Sequence, residues 1–265
     1  MILGRVIEHV KQQHWTAVII ELVIVVLGVF IGIQVSNWNA ARADQERAQG
    51  YLERVRDDLD ADIAGYGDRL ALWGNVYAFG SKGLAYADTG DAAGATQWDL
   101  LLAYFQASQV GAFNLTEATY DELRSAGELR LLGDPHLRDQ LASYYTNSNY
   151  PALSESPDYR KHVRGIIPLE IQAYVWKNCW EADATGKQRL LACSSPVDEA
   201  RAAAVVDEIR ANATLMHELR YWMSTMLIAD ATGRRLLDSA TELRSAVDAK
   251  IGDRESASVS RSSSP

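Results

Sequence analysis

The residues that could do chemistry are few and scattered. Beyond residue 39 the chain has three histidines, His136, His162 and His217. A metal site needs several imidazole, thiolate or carboxylate ligands at matched spacing, and none of the three has a second ligand so placed. His217-Glu218 opens like the zinc-protease helix motif, but Tyr221 occupies the place of the second histidine. Gly186-Lys187 has the close of a phosphate-binding loop, yet Gln188 follows it and Glu181 stands where the first glycine belongs. No G-x-S-x-G or S-x-x-K nucleophile pattern occurs. Carboxylate pairs such as Glu117 and Asp121 fall on ordinary amphipathic surfaces. Asp57, Asp58, Asp60 and Asp62 lack the loop glycine and closing glutamate of a calcium hand and read as a solvated helix face. No catalytic, metal or cofactor residue is assigned, no cofactor is expected, and the chain is not expected to be an enzyme.

Two features keep other options open. The two cysteines, Cys179 and Cys193, either close a loop worth about 3 kcal/mol in an oxidising compartment, or are unrelated buried thiols. Nine aromatics, Trp98, Tyr104, Phe105, Tyr144, Tyr145, Tyr150, Tyr174, Trp176 and Trp180, concentrate in the middle of the chain. They suit a core, several sharing a face with leucines, or a small-molecule pocket between helices.

The element that positions everything else is WTAVIIELVIVVLGVFIGIQV, Trp15 to Val35. These 21 residues carry one charge, Glu21, and reach across about 30 Å of hydrocarbon as a helix. Trp15 and Trp38 flank the run at the separation of two membrane interfaces, so residues 15–38 read as a single-pass anchor. Ala41-Arg42-Ala43 has the small-x-small form of a cleavage site, but the run exceeds the roughly 7–15 residues of a signal core. Glu21 either snorkels to the headgroups or shares a proton with a second copy. Gly28, Gly32 and Ser36 lie four apart on one face, where small side chains let two membrane helices approach closely, which predicts a homodimer.

Basic residues do not settle orientation: Arg5 and Lys11 precede the span, Arg42 and Arg47 follow it. The cysteines favour residues 1–14 as a short cytoplasmic N-terminus and residues 39–254 as an extracytoplasmic domain. A net charge of −9 with dispersed arginines argues against a nucleic-acid surface. Residues 255–265, Ser-rich and poor in apolar surface, read as a disordered tail.

Beyond Asn39 the apolar period is helical. Leu52, Val55, Leu59, Ile63, Tyr66, Leu70, Trp73 and Tyr77 form a coiled-coil-like stripe, and the anchor is expected to continue into this helix. Capping boxes are predicted at Thr96/Asp99 and Thr119/Glu122, the latter opening a helix that closes at Gly127. Asp134-Pro135, Ser156-Pro157 and Ser195-Pro196 each predict an N-cap followed by proline. Pro168 should kink or divide the helix running from Pro157 to Trp176. One helix is expected from Ser195 past Met226 and another after Gly233. No alternating strand of five residues appears. The fold class is therefore all-α: a transmembrane helix and a bundle whose long first and last helices pair.

Two stretches resemble an uncharacterised family of bacterial single-pass membrane proteins. Its members end an N-terminal apolar helix in a G-x-x-x-x-Q-x-x-N-W-N pattern; here Gly28, Gln34, Asn37, Trp38 and Asn39 fill related places, with Gly32 the nearer glycine. TYDELRSAGELRLLGDPHLRDQLASYY, Thr119 to Tyr145, is similar to the family's helix–turn–helix, with Leu132 where isoleucine is common. The resemblance covers about a quarter of the chain. It implies an anchor in a bacterial inner membrane and a helical periplasmic domain, and no known activity. Two functions fit: a non-enzymatic interaction or scaffold protein with an unknown protein partner, or a small-ligand sensor acting with a separate membrane partner.

Overall fold

The structure, a computed structural model, describes residues 15–111, 114–147, 156–184 and 186–262. The expected cytoplasmic segment 1–14, Tyr150 and the last three residues lie outside these. The chain divides into two compact units, Met1–Tyr51 and Leu52–Pro265. The architecture is all-α. Among the described residues it has eight α-helices: α1 Trp15–Thr89, α2 Gln97–Gln106, α3 Ala118–Ser125, α4 Pro135–Asn147, α5 Asp158–Ile166, α6 Leu169–Asn178, α7 Glu199–Ala211 and α8 Ala213–Ser262. A 3-10 turn covers Leu129–Leu132, and β1 Trp180–Ala182 pairs antiparallel with β2 Gln188–Leu190. These strands are three residues long, too short to show as an alternating pattern.

In the Leu52–Pro265 unit the expected pairing of first and last helices is present and antiparallel. Asp60 meets Arg244 at 3.0 Å, and Asp88 of α1 meets Arg220 farther up α8. Glycines let the two backbones approach. A Cβ on Gly233 would stand 2.9 Å from the Trp73 ring and 3.0 Å from Leu70, and one on Gly80 would overlap the Met223 side chain. This is why the predicted break at Gly233 is absent: α8 runs through it, because close packing against α1 outweighs glycine's helix penalty of about 1 kcal/mol.

Gly74 faces solvent on α1 with open space around it. Gly74→Ala is therefore expected to stabilise the unit by about 1 kcal/mol. Gly233→Ala should destabilise it by about 1–2 kcal/mol net, since overpacking exceeds the propensity gain. Thermal denaturation of both variants checks this; shifts of the same sign would refute the packing account.

Local signals set several ends. Thr96 caps α2 with Asp99 as a reciprocal box, at 3.1 and 3.0 Å. Asp134 accepts from the amide of His136 at 2.9 Å, with Pro135 opening α4. After α3, Gly127 turns left-handed (φ +69°), and the Glu128 amide returns to the Leu123 carbonyl. Pro168 divides α5 from α6.

Other expected ends move. Glu117, not a capping Thr119, precedes α3; the buried Thr119 amide donates to Asp58 of α1 at 3.2 Å, and Glu122 pairs with Arg54. A carboxylate from another helix has replaced the local cap. Ser156 does not cap α5, which follows Pro157 without a side-chain cap. Ser195 closes a tight turn on Val197, and Asp198 caps α7 by accepting from the Arg201 amide at 2.7 Å. The single helix expected from Ser195 is broken at Asn212, whose side chain accepts from the Leu215 amide at 3.0 Å and starts α8. Finally, α8 carries helical backbone to Ser262, past residue 255 where the tail was expected to begin. Propagation adds one hydrogen bond per residue, and no glycine or proline interrupts the sequence there.

The core of the unit has two neighbourhoods. Trp73 and Val76 of α1 pack with α2, α5, α6, α7 and the first half of α8. Toward the other end, α4 packs on α8, and Arg254 donates to the carbonyls of Leu131 and Leu132 at 2.8 and 3.2 Å, holding the 3-10 turn.

Candidate functional site

The apolar run sits on α1 with its side chains exposed. Ile19 to Val35 lie between 48% and 63% open, with no core of their own, and Trp38 is 63% open. One helix is thus long and apolar enough to cross a membrane, by length and composition. Glu21 is exposed on the same helix, and Trp15 is its first residue. A Cβ added at Gly28 or Gly32 would meet nothing within 4 Å, and Ser36 is likewise exposed. Contacts within the chain therefore do not account for these small residues, unlike Gly80 and Gly233.

Cys179 and Cys193 form a disulfide with Cα atoms 5.3 Å apart. The loop it closes holds the β-hairpin, turned at Gly186 (φ +82°), and the Leu191 amide donates to the Cys179 carbonyl at 2.8 Å. Gly186-Lys187 is accordingly a hairpin turn, with Lys187 ion-paired to Asp68.

His136 and His217 are exposed. His162 Nδ1 lies 2.9 Å from both carboxylate oxygens of Glu218, a largely exposed pair of small energetic weight. Among the described residues no group of three or more His, Cys, Asp or Glu could hold a metal ion.

The described central aromatics separate into two groups, with Tyr174, Trp176 and Trp180 half-buried. Trp98, Tyr104 and Phe105 are buried on α2; Phe105 meets the edge of Trp176 at 5.6 Å, and Trp176 meets Trp180 at 5.1 Å. Tyr104 donates to the Gly83 carbonyl at 2.8 Å, and Tyr159 to the Tyr104 carbonyl at 2.9 Å. Tyr144 and Tyr145 lie instead near α3, Tyr145 stacking on Tyr120 at 4.7 Å. An open cleft lined by Lys82, Tyr86, Asp91 and Leu100 touches none of the nine aromatics expected to form a pocket.

Two polar clusters escaped the sequence reading. Asp62 is buried, 1% exposed, accepting from Tyr144 Oη and from the Thr116 amide, each at 2.8 Å. Burial pushes its carboxyl above the ordinary range, although those hydrogen bonds pull it down. This corrects the solvated reading of the aspartate face. Asp57 is exposed and Asp60 pairs with Arg244, but Asp58 and Asp62 both reach across to the segment opening α3. The signal was present: Asp62 lies three residues after Leu59 and four before Tyr66, on the stripe itself.

The second cluster is Arg160 and Arg164, one turn apart on α5. Arg160 Nη1 donates to the Ser108 carbonyl at 2.6 Å, and Arg164 Nε to Ser108 Oγ at 2.9 Å. Arg164 Nη2 donates to Gln109 Oε1 at 3.1 Å, and its guanidinium lies over the Phe105 and Trp176 rings at 4.8 and 4.9 Å. Burial, with repulsion from Arg160, brings Arg164 down to about 9.

No protein-family model, curated protein or solved structure matches the chain.

Proposed function

We propose that this chain is a non-enzymatic, membrane-anchored helical protein of a bacterial inner membrane, whose periplasmic domain serves as an interaction or scaffold module and which homodimerises through Gly28, Gly32 and Ser36. The observation that carries the reading is the apolar segment Ile19–Val35, exposed on every face. In water so much apolar surface is strongly unfavourable; in hydrocarbon it is matched, and the helix satisfies its own backbone hydrogen bonds. The Cys179–Cys193 disulfide suits an oxidising compartment. The family resemblance around Asn37, Trp38 and Asn39 supports the same setting.

Alkaline carbonate washing of membranes tests the anchor. The protein is expected to stay in the pellet, and release into the supernatant would overturn the reading. For the dimer, Gly28→Leu with Gly32→Leu is expected to abolish cross-linked dimer, since a branched side chain at both places separates the backbones. Undiminished dimer would remove this interface from the proposal. The alternative is a small-ligand sensor acting with a separate membrane partner; Trp98, Tyr104 and Phe105, three of the aromatics assigned to its pocket, are packed as core.

A further inference from the structure

We propose that Arg160 and Arg164 on α5 form a binding site for a small oxyanion, a phosphate or carboxylate group, at the junction of α5 with the end of α2 and with α6. The inference rests on the Leu52–Pro265 unit alone and holds whether or not α1 crosses a membrane.

The reasoning is one of charge and of spare donors. Two guanidiniums four residues apart share one helix face. Every acceptor they meet among the described residues is neutral: the Ser108 carbonyl and hydroxyl, and the Gln109 amide oxygen, which Arg160 reaches at 3.5 Å and Arg164 at 3.1 Å. Ser108 and Gln109 are themselves buried. No carboxylate raises either arginine; burial lowers both, and each lies half-buried beside the other. Several other arginines are met by acids, as Arg54 by Glu122, Arg220 by Asp88 and Arg244 by Asp60, whereas Arg210 and Arg254 donate to single backbone segments and have no second guanidinium one turn away on their helix. Two partly desolvated like charges, with no carboxylate among the described residues to pair them, are unfavourable unless something negative joins them.

The donors to hold it exist. A guanidinium carries five N–H groups in a fixed fork. Arg160 Nε and Nη2 and Arg164 Nη1 make no hydrogen bond among the described residues. The fork is preorganised as well. Arg164 rests against both the Phe105 and Trp176 rings, which meet edge to face, and Gln109 donates to Gln106, which donates in turn to the Cys179 carbonyl at 2.8 Å. Bidentate capture of an oxyanion by paired arginines is the strongest form of this contact in water.

The test uses the full chain in detergent, titrated with inorganic phosphate and with succinate against potassium chloride at matched ionic strength. Tryptophan emission is the readout, because Trp176 lies under the Arg164 guanidinium, with the thermal midpoint as a second signal. A saturable response to either anion, weakened about tenfold by Arg160→Gln, is expected; that is the loss for one charge-assisted hydrogen bond. Short-chain phosphatidylglycerol is titrated in parallel. A response to the lipid alone, lost in Arg160→Gln, supports the same site with a lipid headgroup as its source. A response no larger than that to chloride with all three probes overturns the proposal, as does an Arg160→Gln response equal to that of the wild type. If Arg160→Gln does not fold, Arg164→Lys, which keeps the charge but loses the planar fork, takes its place under the same criteria.

Discussion

Asp62→Ala is expected to destabilise the Leu52–Pro265 unit by about 3 kcal/mol. The Asp62 carboxylate holds two groups: the amide of half-buried Thr116, which opens the approach to α3, and the buried Tyr144 hydroxyl on α4, each 2.8 Å away. Alanine removes the acceptor from both donors, and each lost bond to a charged group costs about 1.5–3 kcal/mol. Asp62→Asn behaves differently. Its amide oxygen still accepts from Thr116, its NH2 can donate to Tyr144 Oη, and the buried charge is gone.

The pH dependence separates the two effects. Because burial raises the folded pKa of Asp62 above its usual 3.8, the proton is bound more tightly in the folded chain than in the unfolded one. Its contribution to stability is fully present below pH 3.8 and is lost as pH rises through the raised folded value. Tyr144 is also raised, by burial first and then by Asp62, so it stays protonated and keeps donating. Asp62→Asn, which does not titrate, should therefore gain on the wild type as pH increases from acid toward neutral. Urea denaturation at pH 4 and pH 7 measures this difference. A gap between the variants that is independent of pH would show that Asp62 does not bury its charge.

Much of the helical scheme was legible because it rests on local rules. The stripe from Leu52 to Trp73, the box at Thr96 and Asp99, the stop at Gly127 and the division at Pro168 involve residues within a turn of one another. The caps at Asp198 and Asn212 were local and simply displaced from Ser195, but other misplaced features have a partner distant in sequence. Thr119 lost its capping role to Asp58, about sixty residues earlier, and Gly233 looked like a stop until Trp73 and Leu70 closed on it. Asp62 hid among neighbours that do face solvent. Arg160 and Arg164 looked ordinary because an arginine's usual partner is an acid, and nothing local says that here the partners are Ser108 and Gln109. The apolar helix was legible for the opposite reason, since composition alone decides whether a run can sit in hydrocarbon.

Reduction of Cys179–Cys193 is expected to cost the unit about 3 kcal/mol, the chain-entropy value for a loop of this length, and to lower the thermal midpoint by roughly 6–12 °C. The loop spans 14 residues of sequence separation and contains little core of its own, Trp180 and Leu190 being only half-buried. Without the bond the hairpin keeps few reasons to stay closed. The effect reaches further, because the Cys179 carbonyl anchors Gln106, which holds Gln109 beneath the two arginines. Loosening of the hairpin should therefore also weaken any response at Arg160 and Arg164. The same bond reports the compartment. With thiols trapped before lysis, unreduced digests of membrane-extracted protein should contain the cross-linked Cys179–Cys193 peptide, which would put the Leu52–Pro265 unit on the oxidising side of the membrane. Two trapped thiols instead would remove the main support for a periplasmic domain and move the search for its partner to the cytoplasm.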